Sequence, residues 1–449
     1  MHIFTFQDMT LVLDTSSGSL LEVDELAGKI ISLLPQHTVE AIRETLASGY
    51  GQTELDEALA EVFKLVEEGN LNGGLPSEPV LEIEVPQVKA LCLHVAHDCN
   101  LRCKYCFAGT GDFGGGRTLM DEATGKAAID FLLRSSGTRK HLEVDFFGGE
   151  PLLNFDLVKS LTAYGEEQAS KFSKIIRFTL TTNGTLLGED ETRYLNDKKM
   201  ALVLSLDGRP DVNDRMRPFD GNVGSYTPVK EALLRFVQAR SGQNYYIRGT
   251  FTAHNLDFSE DVKHMYELGF REISVEPVVG GAGETYTLTT DHLDTLRAEY
   301  DKLASFYLER QQAGEPFNFF HFNMATYDGP CFGKRVSGCG AGFDYVAVTP
   351  DGEIYPCHQF VGNPRFIMGD VFTGIRDNTL SHEFRQANLY KKPECMACWA
   401  KFFCSGGCHA NALHTSGTLL KPDQLSCELQ KKRVECALGI TAAKLRSGR

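Results

Sequence analysis

The stretch Cys99-Asn-Leu-Arg-Cys103-Lys-Tyr-Cys106-Phe107 places three cysteines in a C-x3-C-x2-C spacing, directly after the apolar segment 91–96. This spacing brings three thiolates to one loop. A cubane 4Fe-4S cluster has four irons and normally takes four thiolates, so three ligands leave one iron free to bind another molecule. The motif therefore predicts a reactive iron–sulfur cluster.

Two other uses of these cysteines compete with a cluster. A disulfide framework is disfavoured, because the chain opens with the mixed polar segment MHIFTFQDMT and lacks a basic region with an apolar signal core. We therefore expect the chain to stay in the reducing cytoplasm. Zinc usually takes four Cys or His ligands, and the triplet has only His94 or His97 as a nearby fourth ligand. Zinc is the weaker alternative here and a stronger one among the later cysteines.

Composition argues against both a membrane span and a nucleic-acid partner. The 449 residues contain no apolar run of about 18 residues, which a helix needs to cross a bilayer. The net charge of -15 is concentrated at the start of the chain, because residues 1–80 hold 14 acidic and three basic side chains. A negative field of this kind repels phosphate backbones and favours a neutral or basic partner.

Residues 1–75 have the outline of a winged helix-turn-helix domain. Three strand patterns, the last two joined by a hairpin turn at 15–18, precede three helical patterns. Asp24 and Thr38 are the predicted N-caps of the first two helices, and Thr53 with Asp56 is predicted to begin the third. Residues 76–89 are predicted to be a linker, because proline and glycine recur there and just before.

Residues 90–312 alternate strand and helix patterns six times. Repeated β-α units imply a parallel sheet with right-handed crossovers, either doubly wound or barrel-like. Six units are fewer than the eight of a complete barrel. The strand patterns lie at 91–96, 142–147, 175–182, 201–207, 245–251 and 272–277, and a long helix follows from about His292 to Gln312.

Motifs follow four of these strands, where parallel sheets gather their chemistry. The cysteine triplet follows the first strand, Gly148-Gly149-Glu150-Pro151 the second and Asn183-Gly184 the third, and Ser205-Leu206-Asp207-Gly208 closes the fourth. Each of the last three motifs, taken alone, is most often an ordinary turn. Their common register with the triplet predicts one functional rim.

The triplet with Phe107 resembles the cluster motif of radical S-adenosylmethionine (SAM) enzymes, and residues 148–151 resemble the Gly-Gly-Glu-Pro motif of that superfamily. The resemblance spans roughly residues 88–312 and implies a partial (β/α)6 barrel. It also implies that the open iron chelates the amino and carboxylate groups of SAM, and that an electron from the cluster cleaves SAM to a 5'-deoxyadenosyl radical. In such enzymes the cofactor performs the difficult chemistry and the protein positions it.

Glycines and short polar residues at the strand ends are the expected SAM contacts. Gly148 and Gly149 would let backbone carbonyls approach the SAM ammonium group, and Glu150 would add a carboxylate acceptor. Arg248 is a candidate ion pair for the SAM carboxylate, with an internal salt bridge as the alternative. The other expected contacts are Asn183, Ser205 and Asp207 for the ribose or carboxylate, and Tyr105 and Phe107, which either wall the adenine or shield the cluster.

Residues 313–449 hold the second group of cysteines, whose spacing C-x12-G-x4-C, then C-x2-C-x5-C-x3-C, then one more, matches the SPASM pattern. SPASM domains are auxiliary-cluster modules of peptide-modifying radical SAM enzymes, and all seven cysteines of the pattern are present. A hairpin around Pro350-Asp351-Gly352 is predicted to bring the first two together. By the resemblance, one auxiliary 4Fe-4S cluster takes Cys395, Cys398, Cys404 and Cys427 and the other takes Cys339, Cys357 and Cys408, which gives three clusters in all.

Seven thiolates for two auxiliary cubanes leave one iron without a protein ligand. Either Cys331 supplies the missing ligand, or the open iron binds a substrate cysteine thiolate. Cys92 and Cys436 lie among apolar residues and are expected to pack as small apolar side chains.

The combination of an acidic N-terminal domain, a radical-generating cluster and auxiliary clusters resembles enzymes that modify ribosomally made peptides. In those enzymes the N-terminal domain recognises the precursor leader, which adds a strand to its sheet. The whole chain looks most like maturases of the cysteine-rich SCIFF peptides. This implies thioether crosslinks from cysteine sulfur to an acceptor carbon, with an auxiliary cluster accepting the surplus electron and ferredoxin or flavodoxin as electron donor.

Three alternatives remain open at this point. A sulfatase-type formylglycine maturase or a carbon–carbon peptide cyclase would share the triplet and the later cysteine pattern. A non-enzymatic iron–sulfur regulator that binds DNA is disfavoured by the acidic N-terminal charge. No catalytic acid or base stands out in the sequence.

Overall fold

The computed structural model describes residues 1–72, 87–280, 283–324 and 336–448. Residues 76–86 of the predicted linker and Cys331 lie outside the described residues. The described ranges contain a three-stranded sheet with three helices, a larger mixed sheet with helices, and a C-terminal region of short elements.

The N-terminal unit is an antiparallel sheet covered by three helices. Its predicted caps are confirmed for two helices, because the Asp24 carboxylate accepts a hydrogen bond from the Ala27 amide and the Thr38 hydroxyl accepts one from the Ala41 amide. The predicted start of the third helix is wrong: the helix already begins at residue 52, so Thr53 lies inside its first turn and the N-cap is a glycine without a side-chain bond. The elements are β1 His2–Phe6, β2 Met9–Leu13, β3 Leu20–Val23, α1 Glu25–Leu33, α2 Val39–Leu46 and α3 Gln52–Glu67.

The central region confirms the predicted α/β fold with a partial (β/α)6 barrel. Six strands, β4 and β6 to β10, are neighbours in chain order and every adjacent pair is parallel. The first of them is buried along nearly its whole length, as expected for a strand that is covered on both faces. The elements are β4 Ala90–His97, β5 Thr118–Leu119, α4 Glu122–Ser135, β6 His141–Gly148, α5 Phe155–Lys171, β7 Ile175–Thr182, α6 Glu189–Asp197, β8 Ala201–Ser205, α7 Pro210–Met216, α8 Tyr226–Ala239, β9 Tyr245–Phe251, α9 Phe258–Glu267, β10 Glu272–Pro277, α10 Leu293–Gln312 and β11 Asn318–Phe319.

The C-terminal region begins with the predicted hairpin, whose first strand pairs with the barrel. Strands β12 and β13 are antiparallel, and β12 also lies parallel to β4 with Tyr345 opposite Ala90. The sequence did not indicate this extension of the barrel sheet. The elements are β12 Tyr345–Val348, β13 Glu353–Tyr355, β14 Gly369–Asp370, β15 Gly374–Ile375, α11 Thr379–Gln386, α12 Pro393–Ala397, α13 Lys401–Cys404, α14 His409–Ser416 and α15 Gln424–Arg446.

The long helix α15 joins the three parts of the molecule. It packs along α10 of the barrel and against β1 and β3 of the N-terminal sheet. The His2 ring lies 2.9 Å from the Glu435 carboxylate, and the Arg446 guanidinium donates to Asp8 at 2.9 Å. None of the helices in the described ranges is both long and apolar enough to cross a bilayer.

Candidate active site

A cavity of about 570 Å³ lies at the carboxyl ends of the parallel strands. All three cysteines of the first triplet line it. The structure therefore brings the predicted rim motifs together around one space. Of the residues predicted to contact SAM, seven line this cavity: Tyr105, Phe107, Gly148, Gly149, Asn183, Ser205 and Arg248.

The triplet loop supplies hydrogen-bond donors and a cation to its buried thiols. Burial raises the pKa of Cys99 and Cys103 to about 11 each, and the guanidinium of Arg217 opposes both shifts. The Cys99 sulfur accepts hydrogen bonds from the Leu101 amide at 3.4 Å and from the Asn183 side-chain amide at 3.7 Å. Donors and a buried cation next to thiols favour the thiolate form that metal ligands require. The donor set at the triplet thus fits an iron–sulfur cluster with three protein ligands.

The paired glycines lie against the loop that precedes the triplet. A Cβ atom at Gly148 would stand 2.1 Å from the Ala96 carbonyl oxygen, and one at Gly149 would stand 2.1 Å from the Asp98 carbonyl oxygen. The Gly149 amide donates to the Ala96 carbonyl at 2.9 Å. Gly148 also has a φ of 130°, which side chains rarely tolerate. These contacts explain the two glycines, while their approach to SAM stays a prediction.

Glu150 lies beneath the cavity rather than in its wall. Its side chain is fully buried, and its carboxylate accepts hydrogen bonds from the Leu152 amide, the Thr182 hydroxyl and the Asn183 amide at 3.0, 2.8 and 2.8 Å. Burial raises the pKa of Glu150 to about 7 despite these donors. Glu150 thus joins the turn after β6 to the end of β7, and its contact with SAM stays a prediction.

Asp207 is also buried outside the cavity wall, in a cluster with Tyr105 and Arg217. The Tyr105 hydroxyl donates to the Asp207 carboxylate at 2.7 Å, and the Arg217 guanidinium lies 4.0 Å from that carboxylate and donates to the tyrosine oxygen at 3.2 Å. Asp207 also accepts from the Thr250 amide at 3.0 Å. Asp207 therefore fixes the Tyr105 ring beside the triplet, and its expected ribose contact stays a prediction.

Arg248 extends from β9 into the cavity wall and remains exposed. Among the described residues it has no carboxylate within 4.0 Å, which disfavours the internal salt bridge considered above. Glu276, at the end of β10, also lines the cavity and contacts His321 at 2.9 Å and Arg433 of α15 at 3.3 Å. Burial alone would raise the pKa of Glu276, but His321 and Arg433 outweigh it and lower that pKa.

The C-terminal region contributes His358 to the cavity wall. Its ring lies 5.3 Å from that of Phe107 and 5.2 Å from that of Phe147, and its Nδ1 lies 3.1 Å from the Tyr345 hydroxyl. Burial, assisted by the charge of Arg248, lowers the pKa of His358 to about 4, so the ring is neutral at physiological pH. Because His358 follows Cys357 directly, the cavity wall is continuous with the second group of cysteines.

Electrostatic interactions link the members of the first predicted group of later cysteines. Burial, together with the charges of Cys404, Cys395 and Cys398, raises the pKa of Cys427 to about 12. The four sulfurs therefore lie within electrostatic range of one another.

A second group forms around Cys357. Burial raises its pKa, and the charges of Cys339 and Cys408 add to that shift. The assignment of either group to a cluster stays a prediction. No three His, Cys, Asp or Glu side chains within the described ranges converge on a point that would hold a single metal ion.

Two functional candidates, Arg217 and His358, were missed by sequence reasoning. His358 had a usable signal, because it adjoins a predicted cluster ligand in the chain. Arg217 had none, because it reaches the triplet only through the way that the chain folds back after α7. Cys92 and Cys436 are buried, as predicted, and the Cys436 thiol donates to the Tyr300 carbonyl at 3.7 Å.

Two family models match the chain in the regions of these sites. Residues 89–226 match a 4Fe-4S single cluster domain, and residues 339–399 match the SPASM iron–sulfur cluster-binding domain. The first match contains the triplet and the Gly-Gly-Glu-Pro motif, and the second contains four of the seven later cysteines.

Curated relatives extend this similarity over much of the chain. The uncharacterized protein MJ0907 of Methanocaldococcus jannaschii is 30% identical over 193 residues, which cover 43% of this chain and 63% of that protein. The radical SAM cyclopropyl synthase TigE of Paramaledivibacter caminithermalis is 22% identical over 92% of this chain and 89% of its own length. A cysteine-type anaerobic sulfatase-maturating enzyme of Clostridium perfringens is 24% identical over 72% of this chain and 89% of its own length.

Solved structures show the same fold. The structure of anSMEcpe with bound AdoMet superposes with a TM-score of 0.67 at 20% identity and covers 79% of this chain and 99% of its own. SuiB from Streptococcus suis, bound to its precursor peptide SuiA, superposes with a TM-score of 0.55 at 18% identity and covers 94% of this chain and 99% of its own. The chain thus carries a match to a 4Fe-4S single cluster domain followed by a match to the SPASM domain, and over most of its length it is similar to a radical SAM cyclopropyl synthase and to a sulfatase-maturating enzyme.

Proposed function

We propose that this protein forms thioether crosslinks between cysteine sulfur and an acceptor carbon in a ribosomally synthesised, cysteine-rich precursor peptide. The observation that carries the proposal is that His358, which directly follows Cys357 in the chain, lines the cavity. The three-cysteine group around Cys357 is thereby connected to the space beside the triplet. A substrate thiol bound at a group with an open coordination position would lie close to the site of radical generation.

The residues of the triplet site fit SAM and its cluster. The cluster would be held by Cys99, Cys103 and Cys106, and SAM bound there would supply a hydrogen-abstracting radical. Arg248 is the exposed cation of the wall and suits the SAM carboxylate. Ser205, Asn183 and the Gly148–Gly149 backbone offer hydrogen-bonding groups, whereas Phe107 supplies an apolar face.

The later cysteines would hold two further 4Fe-4S clusters. Four thiols grouped around Cys427 match the ligand number of a complete cubane, and the three around Cys357 are one short. Cys331 is the alternative eighth ligand and lies outside the described residues. In this proposal the four-thiol site accepts the surplus electron of crosslinking, and ferredoxin or flavodoxin in the cytoplasm supplies the reducing electron for the triplet cluster.

The N-terminal unit, over residues 1–75, would bind the leader of the precursor. Strands β1 and β3 are the two edges of its sheet, and in the described residues each pairs only with β2. An unpaired edge allows strand addition by an extended peptide, with main-chain hydrogen bonds supplying the affinity. The strongly acidic composition of residues 1–80 suits a neutral or basic leader.

The test is mass spectrometry of a precursor encoded beside this gene, after anaerobic incubation with the enzyme, SAM and a reductant. Each thioether should remove two hydrogens from the peptide and one thiol from those that iodoacetamide can alkylate. Loss of two hydrogens with every thiol still alkylated would instead identify a carbon–carbon cyclase. Loss of one sulfur and two hydrogens with gain of one oxygen at a single cysteine, which converts it to formylglycine, would identify a sulfatase-type maturase.

A matched control uses the same peptide without its leader. Because the proposal assigns leader recognition to the N-terminal unit, the leaderless peptide should be crosslinked far more slowly, and added leader in trans should compete with the full-length precursor. Equal rates for both peptides would contradict the role assigned to this unit.

A further inference from the structure

Two lysines lie buried in the C-terminal region, each bonded to a backbone carbonyl. Lys392 is 1% exposed and Lys401 is 7% exposed. The Lys392 ammonium donates to the Gly406 carbonyl at 2.8 Å, and that of Lys401 donates to the Met396 carbonyl at 3.0 Å. Within the part of the chain that the structure describes, neither ammonium has a carboxylate within 4.0 Å. A buried ammonium bonded only to a neutral carbonyl is costly unless another anion compensates its charge.

The anionic groups that face these lysines are cysteine sulfurs. Burial lowers the pKa of Lys392, and the charges of Cys395, Cys404, Cys408 and Cys427 oppose that shift. Burial also lowers the pKa of Lys401, and the charge of Cys398 opposes that shift. Together the two lysines therefore face all four members of the Cys427 group, and Lys392 also senses Cys408 of the Cys357 group.

Other charged groups near this site are compensated or lie outside it. The Lys431 ammonium also acts on Cys427, but it pairs with Glu428 at 2.7 Å. Glu394 acts on Cys395 and is exposed. The two buried lysines are thus the cations whose charge has no other described partner.

We propose that Lys392 and Lys401 are the charge partners of an anionic iron–sulfur cluster held by Cys395, Cys398, Cys404 and Cys427, and that they raise its reduction potential. The inference rests on the proposed function in one respect, namely that these four cysteines hold a cluster. A cubane with four thiolates carries net negative charge, and one-electron reduction adds another negative charge. Net charge and hydrogen bonding near a cluster are among the main determinants of its potential.

The two lysines would give the four-thiol cluster a specific role among the three cysteine groups. Two buried cations make the four-thiol cluster easier to reduce than it would be with neutral neighbours. Low dielectric strengthens the effect, since both ammonium groups are shielded from water. The lysines therefore suit this cluster to accept an electron, in agreement with the role proposed for it above.

The test measures the potential directly and needs no turnover. In full-length protein carrying Cys99→Ala, Cys103→Ala and Cys106→Ala, only the auxiliary clusters remain, at about eight irons per chain. Lys392→Met and Lys401→Met are then added separately, with the exposed neighbour Lys391→Met as the matched control. Iron content is determined for each protein, and the reduced clusters are titrated electrochemically with detection by electron paramagnetic resonance.

Lys392→Met should change the reduced-to-oxidised ratio of one auxiliary cluster at fixed potential by about tenfold toward the oxidised form, which is about 59 mV for one electron. Lys401→Met should shift the same cluster in the same direction, Lys401→Arg should restore the parent value, and Lys391→Met should leave it unchanged. If Lys392→Met fails to retain iron, the two Lys401 variants decide the question.

Full iron content with unchanged potentials in the methionine variants would overturn this inference alone. Absence of auxiliary iron from the triple-alanine parent would overturn it together with the proposed function. A shift of equal size in Lys391→Met would also overturn it, because the effect would then not depend on burial of the charge.

Discussion

Phe6 of the N-terminal sheet packs face-on against Gly439 of helix α15, so closely that a Cβ atom at position 439 would lie 2.1 Å from the phenyl ring. The contact lies between the ion pairs that His2 and Asp8 make with the same helix. Three buried side chains of strands β1 and β2 belong to the main hydrophobic core rather than to the core of the N-terminal unit. They are Phe4, Phe6 and Met9. The N-terminal unit is therefore docked on the helix that also carries Cys427.

Gly439→Ala should loosen this docking. The added methyl overlaps the Phe6 ring, and overpacking of this kind costs about 1–3 kcal/mol. Trp399, the only tryptophan in the chain, stacks on His2 with ring centroids 3.7 Å apart, so its emission should report the displacement. Equal unfolding midpoints for wild type and Gly439→Ala would show that the interface accommodates the methyl.

Arg217→Met should weaken retention of the triplet cluster. The guanidinium opposes the rise in pKa that burial imposes on Cys99, Cys103 and Cys106, so its removal makes thiolates at this loop less favourable. We expect faster loss of about four irons to a chelator under anaerobic conditions. Arg215→Met, on the exposed side of the same segment, is the matched control. Identical iron release from the two variants would contradict the role of Arg217.

Glu150 should make stability fall as pH rises. Burial raises its pKa from 4.5 to about 7, so between these values the folded protein binds a proton that the unfolded chain releases. The stability that this group contributes is present below pH 4.5 and is lost as pH rises toward 7, by about 3 kcal/mol at most. Glu150→Gln replaces this carboxyl by a group that does not ionise. The free energy of unfolding of the wild type should therefore fall relative to that of the variant as pH rises.

The measurement for Glu150 is urea unfolding of both proteins at about pH 5 and about pH 8. Comparison with the variant isolates Glu150, because burial also raises the pKa of Asp145 and Asp207, to about 6 each, in both proteins. Independently of pH, Glu150→Gln places an amide opposite the Asn183 amide and should cost about 1–3 kcal/mol. Parallel pH profiles for the two proteins would contradict the raised pKa.

The barrel and its rim could be predicted from the sequence because both are local patterns. Each central strand is a short apolar run, and four of them end in glycine or short polar residues. The caps of α1 and α2 were predicted for the same reason, since an Asp or Thr accepts a bond from an amide three residues later.

The remaining parts of the site depend on contacts between distant segments. Arg217 reaches the triplet because the Arg102 amide donates to the Pro218 carbonyl and the Lys104 amide to the Met216 carbonyl, both at 2.8 Å. Glu150 also has a local role that the sequence did not indicate, because the turn that begins at Pro151 leaves the Leu152 amide without a helical partner and the Glu150 carboxylate caps it. Neither arrangement has a signature in residue spacing.

The division of the cysteines is the central claim, and one preparation tests it most directly. Protein with Cys99, Cys103 and Cys106 all replaced by alanine is reconstituted anaerobically, and both iron content and 5'-deoxyadenosine formation from SAM are measured. Wild type should carry about twelve irons and cleave SAM, whereas the variant should keep about eight and form no 5'-deoxyadenosine. Continued SAM cleavage by the variant would contradict the assignment of the radical-generating cluster to this triplet.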